Sequence, residues 1–357
     1  MVSSATNPRV SVILTAFHRT AFLRGAIESA LAQTFAAREI IVSDDSDNAE
    51  IRAICEVFPR GAVRYRSNAS PLGAARNVQA AVAEARGVFI AILNDDDVWE
   101  PEFLATLAPP LEKNPRLVLA FGDHWIMRED GTIDVPRSDA NSAEYRRNKL
   151  QPGDVTATGP LVIGNNSVPL AMAALFRKDA VDWGKLSLPV GGAYDFWISC
   201  LLATTGRPFH FINRRLSRYR LHESMETARQ SPDKNDSMAF IFQTLLDTRQ
   251  LSEIEPLLRK KYAGALFACG RQRLRFHQIK PARDFFRRSF RARFGFKTLV
   301  ALCCTALPKK MRERLGLSNG PKPVKKSRVT RAANADSGRA TPRRASRETR
   351  GSGGRKR

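Results

Sequence analysis

The run Gly87-Val88-Phe89-Ile90-Ala91-Ile92-Leu93-Asn94-Asp95-Asp96-Asp97-Val98-Trp99-Glu100-Pro101 carries an apolar stretch straight into three consecutive carboxylates. A short unbroken apolar run followed by turn-type residues reads as a buried strand that ends near Asn94. Loops at strand ends are where α/β proteins place their chemistry. Three adjacent negative charges repel one another, so such a loop is stable when solvated or when a divalent cation lies among its oxygens. The second case implies a phosphate ligand held through the metal. A structural role competes with it, because Asp97 can cap a helix whose first turn holds Pro101. The two roles are compatible, and local sequence leaves both open.

Upstream, the same alternation recurs. Val10 to Thr15 reads as a strand, Ala21 to Gln33 has helical spacing at Phe22, Ala26, Ile27, Ala30 and Leu31, and Glu39 to Ser43 is a second short strand. Ile51 to Phe58 then reads as helix, Ala62 to Arg66 as strand and Ala74 to Arg86 as an Ala-rich helix leading to Gly87–Leu93. Strands alternating with helices of this length predict a mostly parallel sheet covered on both faces. Its strand ends carry Thr15-Ala16-Phe17-His18-Arg19, Asp44-Asp45-Ser46-Asp47 and Asn94-Asp95-Asp96-Asp97, which should converge on one crevice. An Asx turn is the competing reading of Asp44-Asp45. No GxGxxG follows the first strand and no GxxxxGK[ST] occurs, which weighs against a dinucleotide-binding domain or a P-loop NTPase.

Downstream, Met127 to Val168 is polar and rich in Gly, Pro, Asn and Ser, and predicts a long loop near the site. Ordered structure should resume at Pro169–Phe176, followed by a helix over Ala193–Thr205, a strand pair around Phe209–Ile212 and Leu216–Leu221, and a helical layer from Ser237 to Leu307 broken near Gly270 and Pro281. The chain holds 58 Lys and Arg against 35 Asp and Glu, a net charge of +23, and 17 basic against 3 acidic residues lie from Lys309 onward. An anionic partner is implied, and most of the excess sits in a tail too poor in large apolar residues to offset its ordering entropy. The five cysteines are scattered, without a CxxC pair or zinc spacing, which fits a reducing cytoplasm. The N-terminal residues lack the pattern of a secretory signal, and no stretch reaches the roughly 20 apolar residues of a transmembrane helix.

Taken in order, VSVILTAFHR, ALAQTF, EIIVSDD, PLGAARN, GVFIAILNDDDVWEP and LSRYRLHES make the chain resemble the family 2 glycosyltransferases over about Arg9 to Thr227. The resemblance implies an inverting enzyme with a nucleotide-diphospho-sugar transferase fold of the GT-A type: an α/β, Rossmann-like mixed sheet flanked by helices. Here a C-terminal helical extension and a disordered basic tail would follow, dividing the chain into a transferase domain at 1–230, a helical region at 231–316 and a tail at 317–357. By the same resemblance Thr15 and Phe17 line the nucleotide base, Asp45 accepts from a uracil-type imide, and Arg19, Arg76 and Arg220 face phosphate. Asp95 and Asp96 fall at the metal motif, with Asp96 the direct ligand to Mg²⁺ or Mn²⁺ and His222 approaching the same ion; hard oxygen donors suit both. Asn94 stands where an Asp often opens the motif, and can still hydrogen-bond ribose or a metal-bound water.

Inversion needs a base on the acceptor side. The family's usual acidic pair falls on Gly192 and Ala193, leaving Asp195 as the nearby carboxylate; it is either the general base or a helix N-terminal acid favoured by the macrodipole. The QxxRW signature of processive synthases is absent, so transfer of a single sugar is expected, from a UDP-sugar to a hydroxyl of a lipid-linked or surface-glycan acceptor. A nucleotidyltransferase of similar fold is the first rival, although the segment after the first strand lacks the glycine-rich basic loop of that class. A nucleic-acid-binding protein is the second, but the basic tail lacks interleaved aromatics, and no specific nucleic acid is expected. Between Lys280 and Arg314, Phe285, Phe286, Phe290, Phe294 and Phe296 alternate with arginines, which suggests a cytoplasmic enzyme held peripherally on an anionic membrane surface; a helix packed on the catalytic domain is the alternative.

Overall fold

The computed structural model describes residues 9–186, 188–223, 233 and 235–314; the tail expected to be disordered lies outside them. In chain order the elements are β1 (Val10–Ala16), α1 (Leu23–Leu31), β2 (Glu39–Asp44), α2 (Ala49–Glu56), β3 (Arg64–Ser67), α3 (Ala74–Glu84), β4 (Phe89–Asn94), β5 (Val98–Trp99), α4 (Phe103–Lys113), β6 (Leu119–Arg128), α5 (Val135–Glu144), β7 (Gly153–Val155), α6 (Leu170–Ala173) and β8 (Ala174–Arg177). After them come α7 (Tyr194–Ala203), β9 (Phe209–Leu221), α8 (Asp236–Asp247), α9 (Glu255–Arg275), α10 (Ile279–Ala292), α11 (Phe296–Ala306) and α12 (Lys309–Arg314).

All nine strands form one sheet in the order β3-β2-β1-β4-β8-β6-β9-β5, with β7 paired to β9. Its first half is parallel, Ile13 lying opposite Ile41 on one side and Ile92 on the other. The second half is mixed: β8 runs antiparallel to β4 and β6, whereas β6 and β9 are parallel. Val10, Val12, Ile13 and Leu14 are fully buried, as expected of a strand covered on both faces. Val12 and Leu14 meet α1 and α4, while Ile13, Ile90 and Ile92 meet α3 and α7. The first helices past residue 230 join that second core through Ile241, Phe242, Leu245 and Leu258.

Helix α1 carries the chain from β1 out to β2, and α3 brings it back past β1 to β4. The order therefore reverses between β1 and β4, and a crevice opens at their carboxyl ends. This places Thr15–Arg19 and Asn94–Asp97 side by side.

Three local expectations are corrected. Residues 127–168 are not a loop: they hold α5, β7 and a π-helical turn at Pro160–Gly164. Helix α5 buries only Ser138 and Ser142, so it has no apolar period to betray it. The strand pair at 209–221 is the single strand β9, running on through the polar Asn213-Arg214-Arg215. The irregularity is a bulge of β9 itself, whose Phe211–Ser217 lies opposite only Phe121–His124 of β6, and Gly122 lets the Arg214 carbonyl approach to 2.8 Å from the position a Cβ would take. Gly270 does not break the helical layer; α9 runs through it to Arg275, and Pro281 sits in the first turn of α10, where its missing N–H costs nothing.

Gly270 serves α10 instead. A Cβ there would lie 2.6 Å from Cε1 of the fully buried Phe286. Gly270→Ala should therefore lose about 1–2 kcal/mol in urea denaturation, as overpacking outweighs the better helix propensity of Ala. Phe286→Leu should restore part of the loss in that background. An unchanged midpoint in the single variant would show that the α9–α10 contact is loose.

Candidate active site

Segment Thr15–Arg19 leaves β1 between the two acidic strand ends. The Ala16 carbonyl accepts the Asp45 N–H at 3.0 Å, and the His18 N–H donates to the Ser46 hydroxyl at 3.1 Å. His18 adopts a left-handed conformation, φ 59°, uncommon for a residue with a side chain and frequent where a site holds its backbone. Arg19 then turns towards the other strand end, pairing with Asp95 Oδ1 and with Asp96 Oδ2 at 3.0 Å. Expected to face phosphate, its guanidinium pairs with both carboxylates.

All three consecutive carboxylates are buried. Burial pushes the Asp95 carboxyl up to about 6, against the opposing pull of Arg19, and its Oδ2 has no hydrogen-bond partner among the described residues. Burial and the neighbouring Asp96 charge also push Asp97 well above the usual carboxylate range. Asp97 is no helix cap, because β5 intervenes and α4 begins only at Phe103. It accepts the Arg220 N–H at 3.0 Å and the Asn94 amide at 3.1 Å, fastening the loop to β9. Asp96 Oδ2 lies 3.0 Å from Nε2 of the buried His222.

Arg220 donates to the carbonyls of Asp96 at 3.0 Å and Glu129 at 2.9 Å, and its guanidinium covers the Phe22 ring. Rather than standing free for a phosphate, it clamps the acidic loop between β9 and the end of β6. The loop is thus held on one side by Arg19 and on the other by His222 and Arg220, groups more than a hundred residues apart in sequence.

The acidic pair on β2 divides its labour. Asp44 makes the turn, accepting from the Ser46 and Asn48 N–H groups at 2.8 Å each. Asp45 instead receives Asn68 Nδ2 at 2.8 Å and the N–H groups of Leu72 at 2.7 Å and Gly73 at 2.8 Å. The PLGAARN run is thereby pinned to the strand end, and Gly73 has φ 82°, a conformation glycine adopts without penalty. Arg76, in the next turn, is exposed and has no ion pair among the described residues. Phe17 is 48% exposed beside the His18 ring, so it is no part of the core.

Asp195 lies in the first turn of α7, its Oδ1 accepting the Phe196 N–H at 2.7 Å, and burial raises its carboxyl above the ordinary value. It touches none of the acidic-loop side chains directly. The preceding residue makes the link: the buried Tyr194 hydroxyl reaches Asn94 Oδ1 at 3.4 Å and hydrogen-bonds Thr15. Sequence reasoning passed over Tyr194, since a lone tyrosine at a helix start carries no periodic or motif signal.

Behind the site, Asp123 receives Arg147 Nε at 2.5 Å and the Ser142 hydroxyl, fixing the 127–168 segment against β6. Burial and the Arg147 charge hold the neighbouring His124 imidazole down at about 3. Between that value and the unfolded value near 6.5 the unfolded chain binds the extra proton, so His124 lowers stability as pH falls through this window, by about 1.4 kcal/mol per unit. Asp95 has the opposite sign: its folded-state value lies above that of the unfolded chain, so acidification below about 6 relieves a cost. His124→Gln should isolate the first effect. Urea titrations at pH 7.5, 6 and 5 should show wild type losing about 1.4 kcal/mol per unit more than the variant below pH 6. Parallel profiles would mean that His124 takes up its proton in the folded state.

Among the described residues no three His, Cys, Asp or Glu side chains converge on one point. The donors present, two buried carboxylates and one imidazole, with an unpartnered Asp95 oxygen among them, suit a hard divalent cation that completes its shell with ligand phosphates.

An open sheet with a buried acidic loop at its switch point, and a mixed half that carries the chain back over the crevice, defines a GT-A type nucleotide-sugar transferase fold. Residues 11–179, which hold the acidic loop and run on through β8, match the family model "Glycosyl transferase family 2". Asp195, Arg220 and His222 fall beyond the matched segment. Among curated relatives, the UDP-Glc:alpha-D-GlcNAc-diphosphoundecaprenol beta-1,3-glucosyltransferase WfgD of Escherichia coli is 29% identical over 126 residues, 35% of this chain and 49% of that protein. The chain thus spans about half the length of that relative. Among solved structures, residues 1–349 of S. aureus TarS in complex with UDP-GlcNAc superpose with a TM-score of 0.61 at 14% identity, covering 86% of this chain and 92% of that one. The mannosyltransferase PcManGT of Pyrobaculum calidifontis, in complex with GDP-Man and Mn²⁺, superposes with a TM-score of 0.52 at 15% identity over 88% of this chain and 84% of that one.

Proposed function

We propose that the chain is an inverting, non-processive glycosyltransferase that needs Mg²⁺ or Mn²⁺ and moves one sugar from a nucleotide donor, a UDP-sugar, to a hydroxyl of a lipid-linked or surface-glycan acceptor. The observation that carries this reading is the buried Asp95–Asp96 pair at the β1–β4 switch point, paired with Arg19 and with the His222 imidazole 3.0 Å from Asp96. Buried like charges at a strand end are costly, and a cation-bound diphosphate gives them a purpose. The donor and acceptor classes follow the enterobacterial relative's name, and the metal follows the chemistry of the donor set.

In this reading Thr15 and Phe17 flank the nucleotide base and Asp45 accepts from its imide. Asn94 and Asp95 face the ribose side, and Asp96 and His222 would hold the ion. When bound, the metal would supply positive charge to the departing diphosphate. Arg19 exchanges its carboxylate partners for phosphate when donor enters, Arg76 waits exposed at the start of α3, and Arg220 keeps the acidic loop rigid. The acceptor hydroxyl attacks the anomeric carbon from the face opposite the diphosphate, its proton passes to Asp195, and the carbon–oxygen bond to phosphate breaks with its electron pair leaving on the nucleotide. Configuration at that carbon inverts. A lipid-linked acceptor would bring the enzyme to the cytoplasmic face of a membrane as a peripheral protein; no helix among the described residues is long and apolar enough to cross one.

Thermal-shift titration with UDP-, GDP- and TDP-sugars, with and without MnCl₂, tests the reading. A UDP-sugar should raise the melting temperature with metal far more than without it. If no nucleotide sugar shows metal-assisted stabilisation, the reading fails.

A further inference from the structure

Helix α11 carries apolar residues on both sides. Its buried residues are Thr298 and Thr305, whereas Phe296, Leu299, Val300 and Cys303 are exposed at the i, i+3, i+4, i+7 spacing of a single helical stripe. The inward side is mixed: Ala301 and Leu302 pack, partly buried, on the cluster of Leu274, Ala282 and Phe286, and Arg283 of α10 donates to the Thr305 hydroxyl at 3.1 Å and to its carbonyl at 3.2 Å. A soluble helix packed on its neighbours turns its apolar stripe inward, so a stripe turned outward marks a surface with another partner. Phe294, just before the helix, is 70% exposed and Phe296 73%, and Met311, in α12 just after it, is 47% exposed.

Charge says what the partner is. From Phe285 to Arg312 the sequence has no acidic residue, while Arg287, Arg291, Arg293, Lys297 and Lys310 of the same stretch are exposed. Arg259, Arg288 and Arg291 line a groove of about 380 Å³ between α8, α9 and α10, with Asp247 its one carboxylate. The five phenylalanines of this region thus part company: Phe286 is fully buried and Phe285 and Phe290 half-buried, leaving Phe294 and Phe296 for the surface.

We infer that the α11 stripe with its arginine and lysine rim is a docking surface for an anionic lipid bilayer, the apolar side chains entering the headgroup boundary and the cations meeting lipid phosphate. Apolar residues flanked by cations, and without carboxylates, are the pattern of an interfacial helix. The inference deepens the proposed lipid-linked acceptor by giving the enzyme a side that faces its substrate, and rests on that reading for its purpose.

The test is flotation of the full-length protein with phosphatidylcholine vesicles, with and without phosphatidylglycerol, in the absence of donor and acceptor. Wild type should float with the anionic vesicles. The double variant Phe296→Ser, Leu299→Ser should bind them at least about tenfold more weakly with an unchanged melting temperature, because both side chains already face water. Arg293→Glu with Lys297→Glu should bind more weakly too and lose most of the salt dependence of flotation. All basic residues beyond 320 are retained in the first variant, so undiminished flotation would assign binding to other cations and overturn the inference. So would a wild type that stays with soluble protein, or a stripe whose substitution only converts a dimer to a monomer in sedimentation velocity. None of these readouts requires catalysis, so loss of donor binding would sink the proposed activity and leave the docking result standing.

Discussion

Asp96→Asn should abolish sugar transfer, by on the order of 10³-fold in kcat/KM, while circular dichroism and the melting temperature stay close to wild type. The side chain sits where Arg19 and His222 meet, so its charge is felt by every group that would handle the diphosphate. Asn keeps the size and one acceptor oxygen but cannot hold a divalent ion as a carboxylate does. Fold should survive because the loop is fastened through other atoms: Asp97 to the Arg220 N–H and the Asp96 carbonyl to Arg220 Nε. Metal-assisted stabilisation by a UDP-sugar should vanish with activity. A variant that keeps more than about a tenth of wild-type turnover would remove Asp96 from the metal role, and the buried acidic loop would need another explanation.

The second large effect is expected at the head of α7. Asp195→Asn should lower kcat by about 10²- to 10⁴-fold with the donor KM changed less than about threefold, the signature of lost general base catalysis. Its carboxyl is raised by burial and one oxygen is taken by the Phe196 N–H, leaving the other to receive a proton. The part of the acidic limb that Asp195 sets should disappear in the variant, leaving the limb set by the raised carboxyls of Asp95 and Asp97. Tyr194→Phe gives the contrast: it removes the hydroxyl that links α7 to Asn94 and Thr15, and should weaken donor binding rather than the chemical step. Equal turnover in wild type and Asp195→Asn would move the base to another residue.

Much of the catalytic half was legible because its local and global demands agree. Strands β1, β2 and β4 are short, mostly apolar runs, each ending in residues of turn type, so position and end are both written in composition. The same signal grouped Thr15–Arg19, Asp44–Asp45 and Asn94–Asp97 into one crevice, and the structure sets them around the end of β1. Where periodicity was silent, reading failed. Helix α5 faces the core with serines, β9 runs through Asn213-Arg214-Arg215, and Gly270 looked like a break although it is a contact surface for Phe286.

Sequence alone determined the doubly wound half and which strand ends meet in one crevice, because these depend on the order of apolar and turn residues along a few neighbouring segments. Tertiary structure alone decided which groups share the charge. Arg19, His222 and Arg220 reach the acidic loop from elements separated by up to two hundred residues, and no local pattern records the meeting of β9 with the end of β4. It also decided the orientation of α11: Ala301 and Leu302 pack on the α9–α10 core and Thr305 meets Arg283, which leaves Phe296 outward, a matter of packing between helices that a helical period cannot reveal.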